Sequence, residues 1–383
     1  MFKKTVESPP IWVDTPAQLN KLINKIMKEP VVAVDTESDS LYSYFEKVCL
    51  IQFSIPSADY LVDPLNVDVT DLESFFSDFS IQKVFHAVEY DITCLKRDFD
   101  FSINNLFDTM LAARLLGWER HGLAAILERE FSVKSDKRFQ KYNWGERPLS
   151  PQAFNYARMD THFLISIRNI QSNQLKRKEL THLASDAFER ATHSRTTAKV
   201  FNPDDFWRVK GARHIQPSEQ SILRELFILR DKIAQQLDRP HFKVMNDFVL
   251  INLAKQQPQH VNELFDFKGL NIKICRYHGA KIIKAIQIGQ RNSPPLDPHY
   301  DRRHRPNPKM MSRYERLRHW RNSLSEGKGV AADIIIDNHS LMEIARHDPT
   351  SLENLFDIEE LTDWQVKNYG EQLLKAIGVQ FTG

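Results

Sequence analysis

The chain has 383 residues, 42% of them hydrophobic, and a formal net charge of +2. At roughly 100–200 residues per domain, this length predicts two or three globular domains. The longest apolar runs are far shorter than the roughly 20 residues of a membrane-spanning helix, and the first ten residues lack the apolar core of a signal peptide. We therefore expect a cytoplasmic protein that does not bind membranes, with a monomer as the favoured state.

The three cysteines, Cys49, Cys94 and Cys275, have no paired spacing. Such spacing is what a disulfide framework or a zinc knuckle would require. We interpret them as small core residues.

Residues 11 to about 195 alternate strand and helix patterns, which predicts an α/β domain. Short apolar runs predict strands at VVAVDTE, VCLIQFSI, DYLVDP and QKVFHA. Helical spacing predicts helices at TDLESFFSDF, AVEYDITCLKRDF and PQAFNYARMDTHFLISIRNI. The last helix has a clear start, because Ser150 can cap it and Pro151 has the φ angle that suits a first helical position.

From about residue 215 the chain is predicted to be helical, and it contains an internal repeat with an offset of 91 residues. The pairs are Ala254 with Ala345, Pro258 with Pro349, Leu264-Phe265 with Leu355-Phe356, Gly279 with Gly370, and Arg230 with Arg321. Two copies of one small helical module follow from this gap-free match.

Residues 291–328, from the linker into the start of the second copy, carry ten Lys or Arg against four Asp or Glu, with three aromatic residues between them. They form either a solvated, Pro-rich linker that runs into a charged helix or a contact with nucleic acid. We predict domains at 1–200, 212–290 and 309–383, with a basic linker at 291–308.

Two carboxylates follow the apolar run VVAV. Because residues two apart in a strand point the same way, Asp35 and Glu37 are expected to share one face. Like charges held together raise each other's pKa unless a cation joins them. An aspartic protease is excluded, since none of the four Asp-Thr pairs is followed by glycine.

Two more acids lie on predicted apolar helix faces: Asp91, between Val88 and Leu95, and Asp160, one turn after Tyr156. A single inward acid usually pairs with an arginine or caps a backbone. Four together favour a site for hard cations, because carboxylate oxygens suit Mg²⁺ or Mn²⁺.

The segments DTES, FHAVEYD and YARMD resemble the three motifs of the DEDD exonuclease superfamily, in its tyrosine-bearing branch. FDTMLAARLLG and DKRFQKYNWGERPL resemble the ribonuclease D group, and the helical repeats resemble HRDC domains. The resemblance covers about residues 12–378. It implies an RNase H-like α/β exonuclease domain, with a mixed sheet flanked by helices, followed by two small all-α HRDC-like domains.

The resemblance also implies roles for individual residues. Asp35, Glu37, Asp91 and Asp160 would bind two Mg²⁺ or Mn²⁺ ions, and Tyr156 would position or deprotonate the attacking water. The implied activity is 3′–5′ exoribonuclease on the 3′ ends of stable RNA such as tRNA precursors, with release of nucleoside 5′-monophosphates.

Residues of the connection before the third motif are candidates for nucleic-acid contacts, through phosphate or by base stacking. They are Lys137, Gln140, Trp144 and Arg147. Trp144 has an alternative role as an anchor for that connection, and for Asp108 we favour a structural hydrogen bond.

Three alternatives remain open at this point. The enzyme could act on DNA, because a carboxylate metal site does not read the 2′-hydroxyl. The chain could be an inactive nucleic-acid-binding protein, although all five expected site residues are present. The helical modules could contact proteins rather than RNA.

Overall fold

The computed structural model describes residues 8–134, 136–193, 201–296 and 307–379. They divide into two compact units. In the described part of the chain, the first unit comprises residues 8–37, 48–193 and 307–379, and the second comprises 38–47 and 201–296. The second helical module therefore belongs to the same unit as the α/β domain.

The first unit is built on a sheet that has six strands in the described residues, in the order β1-β4-β3-β2-β5-β6. The strands are β1 Ile11–Val13, β2 Val31–Ser38, β3 Val48–Ile55, β4 Ala58–Val62, β5 Gln82–Phe85 and β6 Leu106–Asp108. β2, β5 and β6 are parallel, whereas β3 and β4 are antiparallel. The predicted mixed sheet is confirmed.

Helices cover this sheet. They are α1 Pro16–Ile26, α2 Glu73–Phe76, α3 Glu89–Phe99, α4 Thr109–Leu115, α5 Leu123–Phe131, α6 Pro151–His162, α7 Leu164–Arg177 and α8 Thr181–Thr192. Short 3₁₀ helices occur at Thr70–Leu72 and Lys137–Lys141. The single helix predicted for residues 151–170 divides at Phe163 into α6 and α7.

The apolar residues of the central strands explain why the sheet forms. Val32, Ala33 and Val34 of β2 have no exposed surface, and all eight residues of β3 are buried. Strands that are buried on both faces read as continuous apolar runs. The three cysteines are free and buried, as expected of core residues.

The two helical modules repeat each other with the predicted offset. The first contains α9 Pro217–Leu237, α10 His241–Val244, α11 Asp247–Gln256, a 3₁₀ helix Val261–Leu264 and α12 Ile272–Arg291, preceded by 3₁₀ helices Pro203–Arg208 and Ala212–His214. The second contains α13 Pro308–Lys328, α14 Ala332–Ile335, α15 Asn338–His347, α16 Leu352–Phe356 and α17 Asp363–Ile377. Each element of the second module begins 91 residues after its counterpart.

The paired residues make the same contacts in both copies. Arg230 donates to the Met245 carbonyl oxygen (3.2 Å), and Arg321 donates to that of Ile336 (2.9 Å), which is again 91 residues later. A Cβ added at Gly279 would lie 2.8 Å from a Val261 methyl carbon. At Gly370 it would lie 2.6 Å from a Leu352 methyl carbon, so both modules need a glycine where this helix packs.

The second module is joined to the α/β domain by polar contacts as well as by a shared apolar core. Arg114 donates to both carboxylate oxygens of Asp333 (2.7 and 2.6 Å). Arg190 donates to the Ile334 carbonyl oxygen, and Thr362 donates to Asp186. These contacts bind α14 and α17 to α4 and α8.

Residues 38–47 follow β2 directly but pack with the first helical module. The Tyr44 hydroxyl donates to Asp231 (2.8 Å), and the Tyr44 and Phe45 amides donate to Asp238 (2.9 and 3.0 Å). Most of the predicted linker, residues 297–306, lies outside the described residues. Within the described ranges, no helix is both long and apolar enough to cross a membrane.

Candidate active site

β2 supplies the first two carboxylates of the candidate site. Val31 to Ala33 of β2 pair with β5, and Asp35 and Glu37 lie beyond these three residues, at the carboxyl end of the strand. Both side chains are partly buried. The alternation of a strand places them on one face, as predicted.

Asp91 lies in the first turn of α3, which begins shortly after β5 ends. It is 6% exposed, and its Oδ1 accepts hydrogen bonds from the Thr36 amide (3.0 Å) and the Thr36 hydroxyl (2.6 Å). Thr36, between the two acids of β2, therefore fixes the third acid beside that strand. We did not predict this role of Thr36, which depends on a contact 55 residues away in sequence.

α6 carries Asp160 and Tyr156 on one side, four residues apart. The helix begins as predicted, with the Ser150 hydroxyl accepting from the Ala153 amide (3.2 Å) and Pro151 in the first turn. Thr161 anchors it to β3 through a 2.7 Å hydrogen bond between the Thr161 and Ser54 hydroxyls.

The structure brings three of the acids together directly. Carboxylate oxygens of Asp35, Glu37 and Asp160 all lie within 4.8 Å of one another, which is an arrangement that can hold a metal ion. The negative charge of Asp91 raises the pKa of each of these three acids, so Asp91 lies close enough to interact with all of them. None of the four acids forms an ion pair with a Lys, Arg or His among the residues that the structure describes.

Burial and a neighbouring negative charge raise the pKa of every acid in this cluster; for Asp91 that neighbouring charge is Asp108, outside the cluster. Burial is the largest cause for each of the four. The pKa of Asp91 rises to about 7 despite the Thr36 hydrogen bonds, and that of Asp160 rises to about 7 through burial and the charge of Asp91. Four adjacent acids without cationic partners make a site that a divalent cation would stabilise.

The Tyr156 ring packs between two aromatic residues, at centroid distances of 5.5 Å to Phe139 and 6.1 Å to Trp144. Burial, and then the negative charges of Asp160, Glu37 and Asp35, raise the pKa of its hydroxyl well above the usual value. The phenol is therefore protonated at neutral pH in the metal-free protein.

Asp108 has the structural role that we favoured for it. The side chain is 1% exposed and accepts hydrogen bonds from four backbone amides, those of Ala87, Val88, Met110 and Leu111. It caps α4 and holds the turn between β5 and α3. Ala87 in that turn has a φ of +63°, a conformation that is uncommon without glycine.

Two of the four candidate residues of the connection, Arg147 and Trp144, make structural contacts, and nucleic-acid binding by this connection stays a prediction. All five donors of Arg147 are used: two bind the Asp63 carboxylate, and three bind the carbonyl oxygens of Cys49, Trp144 and Glu146. Trp144 is only 2% exposed, so it anchors the connection and has no free face for a base. Gln140 is exposed, and the side chain of Lys137 lies outside the described residues.

Comparisons with known families agree with this architecture. Residues 10–176 match the family described as 3′–5′ exonuclease, and residues 219–286 and 310–377 each match the HRDC domain.

Among curated proteins, the chain is 36% identical over 271 residues to the exosome complex exonuclease RRP6 of Saccharomyces cerevisiae. The match covers 67% of this chain and 37% of that protein, so the chain spans well under half of this relative's length. It is also 31% identical to the RRP6-like 3 protein of Arabidopsis thaliana, over 67% of this chain and 32% of that one.

Among solved structures, the catalytic core of RRP6 from Trypanosoma brucei aligns with a TM-score of 0.68 at 26% identity, covering 75% of this chain and 81% of that one. RNase D of Escherichia coli aligns over 97% of this chain and 100% of its own, with a TM-score of 0.67 and 22% identity, which shows a shared fold.

Proposed function

Because the chain carries a 3′–5′ exonuclease domain and two HRDC domains, we propose that it is a metal-dependent 3′–5′ exoribonuclease that trims stable RNA such as tRNA precursors. The observation that carries this proposal is that carboxylate oxygens of Asp35, Glu37 and Asp160 lie within 4.8 Å of one another, close enough to Asp91 for its charge to raise their pKa values. The resemblance of the flanking motifs to ribonuclease D, and the 36% identity to an exosome exonuclease, favour RNA.

The donor set fits two Mg²⁺ or Mn²⁺ ions. It consists of carboxylate oxygens, which these hard cations prefer over nitrogen and sulfur ligands. Asp35, Glu37, Asp91 and Asp160 would hold the ions. When bound, such a pair activates a water and stabilises the charge on the attacking and leaving oxygens of the phosphodiester.

The protein's own contribution is to place these groups. The Thr36 hydrogen bonds hold Asp91 against β2, and the anchor between Thr161 and Ser54 fixes the helix that carries Asp160. Tyr156 keeps its proton at neutral pH, so its hydroxyl serves chiefly to position the attacking water.

One time course tests the proposal. RNA labelled at its 3′ end and the same RNA labelled at its 5′ end are incubated with the full chain and Mg²⁺, with and without a chelator. We expect mononucleotides to appear at once from the 3′ label, a descending ladder from the 5′ label, and no product with the chelator. Internal fragments, or hydrolysis that survives chelation, would contradict the proposal.

A matched DNA oligonucleotide separates the two possible substrates of this site. We expect slower hydrolysis of DNA than of RNA of the same sequence. Faster DNA hydrolysis would establish the alternative, a 3′–5′ DNA exonuclease.

A further inference from the structure

The exposed side of α12, in the first helical module, has an unusual charge. Residues 267–296 contain no Asp or Glu, although the whole chain has 50 in 383 residues. The same stretch contains six cations: Lys268, Lys273, Arg276, Lys281, Lys284 and Arg291. A solvated surface normally mixes both signs of charge, so this stretch differs from an ordinary exposed helix.

These cations share one side of the helix with an exposed aromatic ring. The surface called the α12 face consists of Lys273, Arg276, Tyr277, Lys281, Lys284 and Arg291, which recur at spacings of about three, four and seven residues and are all exposed. Buried residues such as Ile274, Ile282 and Ile286 occupy the opposite side. At 1.5 Å per residue, the face extends for about 27 Å.

None of the charges on the α12 face forms an ion pair with a residue in the described ranges. Tyr277 is 73% exposed, and Ile272 at the start of the helix is 59% exposed. A row of uncompensated cations beside an exposed ring is the combination that binds phosphate groups and stacks on a base.

The second module shows that the fold does not require this charge. At the 91-residue offset, Lys273 corresponds to Trp364, Tyr277 to Asn368 and Lys281 to Gln372. α17 carries Asp363 and Glu371 against Lys367 and Lys375, and Lys367 pairs with Asp363 at 3.5 Å. The last helix of the module is therefore strongly basic in the first copy (α12) and neutral in the second (α17).

We propose that the α12 face is a binding surface for single-stranded RNA, which neutralises backbone phosphates through its Lys and Arg residues and stacks a base on Tyr277. This inference rests on the proposed exoribonuclease function and adds a surface outside the carboxylate cluster. It assigns RNA contact to the first module and not to the neutral α17 of the second. Contacts of this kind follow the charge of the backbone and do not read sequence.

Equilibrium binding of a single-stranded RNA of roughly 20 nucleotides tests the surface. The full chain is used in the presence of a chelator, so that binding is measured apart from hydrolysis. In the variant Lys273→Gln/Lys281→Gln/Lys284→Gln, we expect the slope of log K against log salt to become shallower by about 2, or about 0.7 for each lost contact. The affinity at low salt should fall at least about tenfold.

A second variant tests the aromatic contact. Tyr277→Ala should weaken binding about tenfold while leaving the salt slope unchanged, because stacking involves no counterion release. Phe248→Ala is the matched control, since Phe248 is an exposed ring (59%) on a different helix of the same module. Lys367→Gln/Lys375→Gln is the control for charge, on the equivalent helix of the second module.

The results separate this inference from the proposed function. If the wild type hydrolyses RNA with Mg²⁺ but the triple Lys variant binds with wild-type affinity and salt slope, the α12 face is not an RNA surface. An equal loss in the α17 control would also overturn the assignment. If the wild type hydrolyses no RNA, the proposed function fails, whatever the binding data show.

Discussion

Asp91 combines two opposing effects on its ionised form. Two hydrogen bonds from Thr36 favour the carboxylate, whereas burial opposes it and raises the pKa to about 7. In Asp91→Asn the amide oxygen can still accept both hydrogen bonds, while the charge is removed. We expect hydrolysis to fall about 10²–10³-fold, through loss of several kcal/mol of metal-assisted stabilisation.

The same substitution should stabilise the metal-free protein at pH 8. When the folded pKa of a carboxyl lies above its unfolded value, the folded protein loses stability as the pH rises through that range. The amide of Asn does not titrate, so the variant avoids this loss. Urea unfolding with a chelator measures this effect. Glu89→Gln, an exposed acid in the same turn of α3, is the control, and a destabilised Asp91→Asn would contradict the electrostatic account.

The contributions of the Tyr156 ring and of its hydroxyl can be tested separately. Tyr156→Phe keeps the packing against Phe139 and Trp144 but removes the hydroxyl that we propose positions the attacking water. We expect kcat to fall about 10–10²-fold, with KM and the free energy of unfolding near wild type. Steady-state kinetics and urea unfolding check this, and wild-type kcat in the Phe variant would exclude the assigned role.

His86 makes stability depend on pH below neutrality. Thr109 donates its hydroxyl hydrogen to the Phe85 carbonyl oxygen (3.0 Å), so it accepts from the Nδ1–H of a neutral His86 ring (2.9 Å). Burial, and then His121, lower the pKa of His86 to about 4. Between pH 6.5 and 4 the unfolded chain binds a proton that the folded chain does not, so stability falls on acidification.

We therefore expect the wild type to lose about 3 kcal/mol more between pH 7 and 4 than His86→Gln loses. Urea unfolding across this pH range measures the difference. The exposed His182, changed to Gln, serves as the control. Parallel pH profiles for wild type and His86→Gln would show that the ring takes up its proton at the same pH in the folded and the unfolded chain, which would contradict the lowered pKa.

At the scale of elements, Arg147 holds the connection between α5 and α6 on the sheet. Its partner Asp63 has no exposed surface, so Arg147→Met would leave a buried carboxylate uncompensated. We expect a loss of about 3–5 kcal/mol in the free energy of unfolding. Arg138→Met, which breaks an exposed pair with Asp136, should cost under about 1 kcal/mol. Equal effects in urea unfolding would contradict the structural role.

Local patterns were sufficient to predict the main elements and the acids that they carry. VVAV predicted β2, Ser150 and Pro151 predicted the start of α6, and the repeat predicted the helices of the second module from those of the first. β1 and β6 were not predicted, because each has only three residues and its pairing depends on a distant strand. The role of Arg147 was missed for the same reason, since Asp63 lies 84 residues away.

At the scale of the whole molecule, the second helical module is part of the structure that supports the α/β domain. Asp186 is 3% exposed and binds both Arg190 and Thr362. Thr362→Val removes one of the contacts between the second module and the α/β domain, together with the Thr362 cap of α17, and should lower the free energy of unfolding by about 1–2 kcal/mol. Asp363→Asn, an exposed change on the same helix, should have almost no effect, and equal losses would argue against a specific contact.

Deleting the second module is for this reason a poor test of RNA binding. Its apolar residues belong to the core cluster that includes the sheet, so their removal exposes that core. The sequence indicated a repeated module but not where either copy packs. The contacts that decide this, such as Arg114 with Asp333, join residues 219 positions apart.

The two units also take their residues from alternating parts of the chain. Residues 38–47 complete the unit formed by 201–296, and 307–379 complete the unit that begins at the N-terminus. During synthesis, β2 and β3 leave the ribosome long before residues 201–296, which pack with 38–47. They also emerge long before residues 307–379, which complete the first unit. Such long-range pairing is slow and leaves apolar surface open to aggregation, so the nascent α/β domain should depend on chaperones until its last helices have been synthesised.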